Sequence, residues 1–123
     1  MAATIKIPGR RITDGETFYT DWSDRGGDCI LLRVEILVKT GVGLDVSLET
    51  RGDDGTSVTT ISPTSAALTG IGSVGMHPCV YLASITTGGA KKQVRVVVGC
   101  NDGSGGYFVT RIMPLIFFDN AKP

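Results

Sequence analysis

The sequence predicts an all-β fold, a single-domain antiparallel β-sandwich and more narrowly a jelly roll. Short apolar runs alternate with a period of two residues, and none shows the 3.6-residue period of an amphipathic helix. Seventeen of the 123 residues are glycine, about twice the usual share, and they separate these runs without forming a repeat. The runs recur about every 10 residues, which is typical of sandwiches and jelly rolls. We therefore expect about eight or nine strands and no helix longer than two turns.

The first half of the chain contains the strongest strand pattern. Residues 1–13 are predicted to form an N-terminal arm or edge strand ahead of a domain at 14–123, because Pro8-Gly9 breaks a weak alternation. A turn at 14–15 and a short strand at 18–22 follow. Residues 29–39 and 44–49 then alternate around the glycine-containing segment 40–43, which predicts a β-hairpin with one buried face.

The second half of the chain is read as short strands separated by turns. A turn at 50–56 leads to a strand at 57–61. Small residues at 62–78 predict a long loop with at most one helical turn. Strands are expected at 79–83, 93–100 and 107–118, with turns at 87–92 and 101–106, the latter a hairpin tip. Pro114 requires a bulge or an edge position in the last strand.

Composition argues against several classes of function. Lys and Arg together number 12 and so do Asp and Glu, so no overall field attracts nucleic acid or an anionic membrane. The first residues hold no apolar segment of signal-peptide length, and no run is long enough to span a membrane. We expect folding in the cytoplasm. The odd number of cysteines, 3, favours reduced thiols over a disulfide framework.

A zinc site is the first chemical hypothesis to weigh. The single histidine, His77, could bind zinc together with Cys29, Cys79 and Cys100, since imidazole and thiolate are preferred zinc ligands. No two of these residues have the paired spacing of a metal site except His77 and Cys79. Buried thiols acting as small apolar side chains are the preferred interpretation. We predict no metal and no cofactor.

Three polar motifs have a simple explanation as turns. Asp53-Asp54 could supply acids to a glycosidase, and Arg51-Gly52-Asp53 matches an integrin adhesion tripeptide. The segment 101–106 could bind calcium or phosphate through backbone groups. A strand ending in an Asp-Gly turn produces all of these sequences without a ligand. Because no acid, base and nucleophile set is visible, we predict that the protein is not an enzyme.

Aromatic residues suggest one alternative function. Tyr19, Trp22 and Tyr107 could form a stacking platform for sugars, as in a carbohydrate-binding sandwich module. The same residues could equally serve the core of the strands that carry them.

The order of several motifs resembles small β-sandwich structural proteins of tailed bacteriophages. The resemblance rests on Trp22-Ser-Asp24, Leu31-Leu-Arg-Val-Glu35, Leu44-Asp-Val-Ser-Leu-Glu-Thr50, Asp53-Asp-Gly-Thr56 and Val94-Arg-Val-Val-Val98, and it extends from Phe18 to Phe118. It implies a virion component, a capsid decoration or cement protein that stabilises the phage head by binding the major capsid protein. The family brings no catalytic residues.

Partner contacts are expected at two places. Leu31 and Leu37 are apolar on the otherwise polar side of strand 29–39, where they either contact another subunit or lie between two buried surfaces. The N-terminal arm can also reach a neighbour. By analogy with decoration proteins a homo-oligomer is expected, with a trimer favoured. The residues predicted to contact another subunit or the capsid are Ile5, Ile7, Arg10, Arg11, Leu31 and Leu37.

Overall fold

The computed structural model describes residues 7–24, 29–51, 58–61, 68–82 and 93–118, without the side chains of Ile7, Pro8 and Leu82. Within these residues there is no helix, and every strand pairing is antiparallel. The strands are β1 (Ile7–Thr13), β2 (Thr17–Tyr19), β3 (Ser23–Asp24), β4 (Cys29–Lys39), β5 (Leu44–Arg51), β6 (Thr59–Thr60), β7 (Leu68–Ile71), β8 (Gly75–Leu82), β9 (Gln93–Cys100), β10 (Tyr107–Ile112) and β11 (Ile116–Phe118).

The first sheet is organised around β4. On one side β4 pairs with β8 along residues 29–36. On its other side it pairs with β11 near its start and with β10 near its end, and β1 then pairs with β10. Pro114 lies in a break between β10 and β11, so the single closing strand predicted at 107–118, with a bulge or an edge position at Pro114, is two strands.

The second sheet is organised around β5 and β9, which pair along their whole lengths from Leu44↔Cys100 to Arg51↔Gln93. The short strands β2 and β3 pair with the outer side of β9. The short strands β6 and β7 pair with the outer side of β5. Each side of this central pair is therefore covered by two short strands.

The two sheets pack face to face around one apolar core, and the predicted antiparallel β-sandwich is confirmed. The side chains that point into the core are those that the sequence alternation predicts to be buried. In β4, for example, Leu32, Val34 and Ile36 are fully buried. The other large core residues are Ile12, Ile30, Leu44, Val46, Leu48, Ile61, Leu68, Ile71, Tyr81, Val94, Val96, Val98, Phe108, Ile112 and Leu115.

The hairpin predicted for residues 29–49 is wrong. β4 belongs to the first sheet and β5 to the second, so residues 40–43 cross between the sheets. The inward residues of the two strands consequently lie in opposite sheets on either side of the core, whereas a hairpin would have set them side by side in one sheet. The alternation correctly identified the buried face of each strand but carried no information on its partner.

Two further turn and loop predictions need correction. Within the predicted long loop at 62–78, residues 68–71 form β7 and residues 75–78 are the start of β8, which continues into the strand predicted at 79–83. Residues 62–67 lie outside the described residues. Pro78 is accommodated because β8 pairs only with β4 among the described strands and so lies at an edge. Residues 101–106 connect β9 to β10 across the two sheets and therefore do not form a hairpin tip.

Candidate functional site

The outward side chains of the first sheet form a largely apolar surface, which we call the front face. Strand pairing sets its residues in rows, in which directly opposed side chains are neighbours. The first three rows are Ile116, Leu31 and Val80; Arg33 and Pro78; and Arg111, Glu35 and Met76. Val109, Leu37 and Val38 extend the face at one end, and Phe118 extends it at the other.

Large apolar side chains remain in contact with solvent across the front face. The exposed fractions are 41% for Leu37, 46% for Val38, 46% for Met76, 42% for Ile116 and 41% for Phe118. Leu31 and Val80, between two of these positions, are half-buried. Several exposed large apolar side chains on one face of a domain favour that face as a binding surface. The front face is therefore the candidate functional site.

The centre of the front face carries three charged side chains. Glu35 accepts a hydrogen bond from Nη2 of Arg111, with which it also forms an ion pair. Arg33 donates from Nη2 to the carbonyl oxygen of Pro114 at 3.1 Å. Its Nε is buried without a hydrogen-bond partner, and it is the one such side-chain atom among the described residues.

The outward side chains of the second sheet form a polar surface, the back face. Its residues are Asp45, Ser47, Glu49 and Arg51 of β5, Gln93, Arg95 and Val97 of β9, Thr17 and Tyr19 of β2, and Asp24 of β3. Glu49 and Arg95 form an ion pair at 2.7 Å. The two outer faces of the sandwich thus differ in character, one apolar and the other charged and hydrogen-bonded.

Arginine side chains stack on the aromatic rings of the back face. The guanidinium of Arg95 lies 4.4 Å from the ring centroid of Tyr19 and 4.5 Å from that of Trp22. The guanidinium of Arg51 lies 4.4 Å from the Trp22 ring. These cation–π contacts join the short strands β2 and β3 to the central strands β5 and β9.

The three residues predicted as a sugar platform do not form one surface. Tyr19 and Trp22 are neighbours through Arg95, and Tyr19 is 49% exposed. Tyr107 belongs to β10 in the first sheet, where the guanidinium of Arg11 lies 4.0 Å from its ring. Only the pair Tyr19 and Trp22 therefore remains as a candidate platform.

The residues predicted to contact a subunit or a capsid fall into two groups. Leu31 and Leu37 both lie on β4 of the front face, six residues apart. In the N-terminal segment, Ile5 lies outside the described residues and Ile7 begins β1, which occupies one end of the strand order. Arg10 and Arg11 are exposed, and the guanidinium of Arg10 lies 4.0 Å from the Phe18 ring of the second sheet.

Acidic side chains tie together the loops at one end of the sandwich. Asp102 accepts hydrogen bonds from the amides of Val42 at 2.6 Å and Gly43 at 2.9 Å, and from the amide and hydroxyl of Ser104. Asp14 accepts from the amides of residues 103 and 105. Among the described residues, Asp14, Cys100 and Asp102 are the one group close enough together to suggest a metal site.

The hydrogen bonds within this group favour a structural role. The amides of Gly43, Ser104 and Val42 and the Ser104 hydroxyl lower the pKa of Asp102, because they stabilise its charged form. Burial and the neighbouring Asp102 raise the pKa of the Cys100 thiol, which leaves it a poor ligand. N–H dipoles aimed at the carboxylates also repel a cation. We assign the group to loop closure.

The hypothetical zinc ligands do not come together. Cys29 and Cys79 lie in the first sheet and Cys100 lies in the second. His77 Nε2 lies 2.9 Å from the carbonyl oxygen of Ser73. All three cysteines are buried and free of disulfide bonds, in line with the reduced thiols that the odd count predicts.

The arginine of the adhesion tripeptide, Arg51, is held on the back face by contacts with neighbouring side chains. Besides stacking on Trp22, Arg51 donates from Nε to the side-chain oxygen of Gln93 at 2.7 Å. Gly52, Asp53 and Asp54 lie outside the described residues.

Sequence reasoning missed most of the front face. The sequence predicts a loop for Met76 and Pro78, a strand for Val80 and a closing strand for Ile116 and Phe118, but no partner for either strand. The available signal was the outward Leu31, whose neighbours become known only once the pairing of β4 with β8 and β11 is known.

Comparison with known proteins gives no relative: no protein-family model, curated protein or solved structure matches the chain. Among the described residues, no helix is long and apolar enough to cross a membrane.

Proposed function

We propose that the chain is a non-enzymatic structural protein of a bacteriophage virion, a capsid decoration or cement protein that binds the major capsid protein. The observation that carries the proposal is the contrast between an apolar front face and a polar back face. A protein that lies on a shell needs one surface suited to contact and one suited to water. The front face supplies the first and the back face the second.

The strand order supports the jelly-roll prediction. The pairs β2/β3, β6/β7 and β10/β11 each lie along one side of a longer strand, so each pair counts as one interrupted strand. With that count the order is 1-8-3-6 in the first sheet and 2-7-4-5 in the second, which is the order of a jelly roll. Jelly rolls occur in viral capsid proteins and in lectins.

The absence of a concentrated chemical site in the sequence also fits this role. Cementing distributes its binding energy over a broad interface, with a few buried apolar anchors contributing most of it. On the front face, Leu31 lies in the row between Ile116 and Val80 and is the best-placed anchor. The proposal includes folding in the host cytoplasm before assembly onto the virion. It also includes a homo-oligomer, with a trimer favoured by analogy.

The test is binding to empty heads assembled from the major capsid protein of the phage that encodes this chain, measured by co-sedimentation. Leu31→Glu places a charge on the front face and is expected to weaken binding at least about tenfold. Val97→Glu is the matched control, because Val97 is also half-buried and outward-facing on a central strand, but on the back face. Equal binding by both variants, or none by the wild type, contradicts the proposal.

One observation favours a second function, carbohydrate binding. Tyr19 is 49% exposed beside Trp22, and the Glu49 carboxylate lies close by through its ion pair with Arg95. An aromatic ring next to a carboxylate is a common way to hold a sugar. A glycan array in which the wild type binds and folded Trp22→Ala does not would establish this function in place of the first.

A further inference from the structure

Arg33 lies near the middle of the front face and is incompletely satisfied. Its Nη2 donates to the Pro114 carbonyl, but its Nε is buried and lacks any hydrogen-bond partner. A buried unpaired donor, above all on a charged group, is costly and rare in native proteins. Pro78 lies opposite Arg33 on β8, and Leu31 lies two residues before it on the same face. Glu35 lies two residues after it on the same face but is ion-paired with Arg111, so Arg33 has no carboxylate of its own.

The front face contains no spare acid to pair with this arginine. Glu35 is the one carboxylate among the residues that define the face, and Arg111 already occupies it. The face consequently carries an excess of positive charge at its centre. A second copy that packed its own front face here would bring two Arg33 side chains into one apolar interface with no free carboxylate between them, and burying an unpaired charge is strongly unfavourable.

We propose that the front face binds an apolar surface of a different protein that presents a carboxylate to Arg33. This inference rests on the proposed function, in which that protein is the major capsid protein. The two terminal guanidinium nitrogens of an arginine fit a carboxylate with two parallel hydrogen bonds, which supplies geometric specificity in addition to charge. The apolar rows around Arg33 exclude water and strengthen the pair.

The experiment compares wild type, Arg33→Gln, Arg33→Lys and Arg51→Gln in co-sedimentation with empty heads. Arg33→Gln is expected to raise the dissociation constant roughly 10- to 100-fold, the range for losing a charge-assisted hydrogen bond. Arg33→Lys keeps the positive charge but lacks the two-pronged guanidinium, so its dissociation constant should lie between those of the wild type and Arg33→Gln. Arg51→Gln changes the net charge identically but on the back face, and should bind as the wild type does. Thermal unfolding of each variant checks that it is folded.

The possible failures can be told apart. Heads that do not bind the wild type overturn the proposed function and this inference with it. If the heads bind the wild type, do not bind Leu31→Glu and bind Arg33→Gln with full affinity, this inference alone is overturned. Sedimentation of the free protein gives a second readout. Leu31→Glu should leave its oligomeric state unchanged, and an oligomer that this substitution dissociates would identify the occupant as a second copy.

Discussion

Asp102 and Val42 join two loops that cross between the sheets, through a 2.6 Å hydrogen bond from the Val42 amide to Oδ2 of Asp102. The same oxygen accepts from Gly43, and Oδ1 accepts from Ser104. One exposed carboxylate therefore fixes the 40–43 crossing against the 101–106 crossing. The bond spans 60 residues of sequence, so it closes the sandwich at this end.

The first prediction concerns pH. Because the folded protein lowers the pKa of Asp102 from its ordinary value of 3.8, this group adds stability that is complete above pH 3.8 and is lost as the pH falls further toward the folded pKa. Asp102→Asn should therefore be less stable than the wild type at pH 7, and the difference should shrink below about pH 4. Urea unfolding at several pH values measures it. A difference that stays constant with pH would contradict the assignment.

The second prediction tests how closely these crossings pack. A Cβ at Gly106 would lie 2.6 Å from the Thr40 carbonyl oxygen and 2.7 Å from the Gly41 nitrogen, both backbone atoms that cannot easily move. Gly106→Ala should destabilise the protein by about 1–3 kcal/mol or more. In Gly99→Ala the nearest atom is Thr17 Oγ1 at an ordinary 3.5 Å, so this control should be close to neutral. Equal midpoints in thermal unfolding would show that the crossing is looser than described.

The third prediction uses two adjacent leucines of β4. Leu32 points inward and is fully buried, whereas Leu31 is half-buried on the front face. Leu32→Ala should cost about 2–5 kcal/mol in free energy of unfolding. Leu31→Ala should cost less than about 1 kcal/mol in the isolated protein, because little of its apolar area is lost from the core. A reversed order in urea unfolding would mean that β4 is turned over.

The sequence was informative about faces and uninformative about partners. Alternation in 30–36 and 44–48 correctly identified the buried side of β4 and β5, because burial depends on each residue's own chemistry. It did not identify the crossing at 40–43, since a glycine-containing segment suits a hairpin and a crossing equally well. What selects the crossing includes the carboxylate of Asp102, which a local pattern cannot reveal.

The same limit applies to the candidate site. Leu31 and Leu37 were predicted as contacts because they interrupt a polar alternation. Met76 and Ile116 gave no such signal, and they join the site only because β8 and β11 pair with the two sides of β4. The sequence predicts only that Arg33 points outward. Its buried Nε and its position opposite Pro78 depend on the pairing of β4 with β8.

The last prediction concerns the stacked side chains of the back face. Trp22 contacts the guanidinium groups of both Arg51 and Arg95, whereas the more exposed Tyr19 contacts Arg95 alone. Trp22→Ala should therefore destabilise the protein by roughly 1–3 kcal/mol, from two cation–π contacts and lost apolar burial, and Tyr19→Ala by less than about 1 kcal/mol.

Trp22→Phe keeps an aromatic ring but makes it smaller, so it shows how much of the effect of Trp22→Ala comes from losing the aromatic face. It keeps an aromatic face for both arginines and should recover more than half of the stability lost in Trp22→Ala, as measured by urea unfolding. A double-mutant cycle between Trp22→Ala and Arg51→Ala should give a coupling of about 0.5–1 kcal/mol. If the coupling is zero and Trp22→Ala is as stable as the wild type, the ring does not hold the short strands in place. A half-buried tryptophan that contributes nothing to folding would then favour ligand binding at Tyr19 and Trp22.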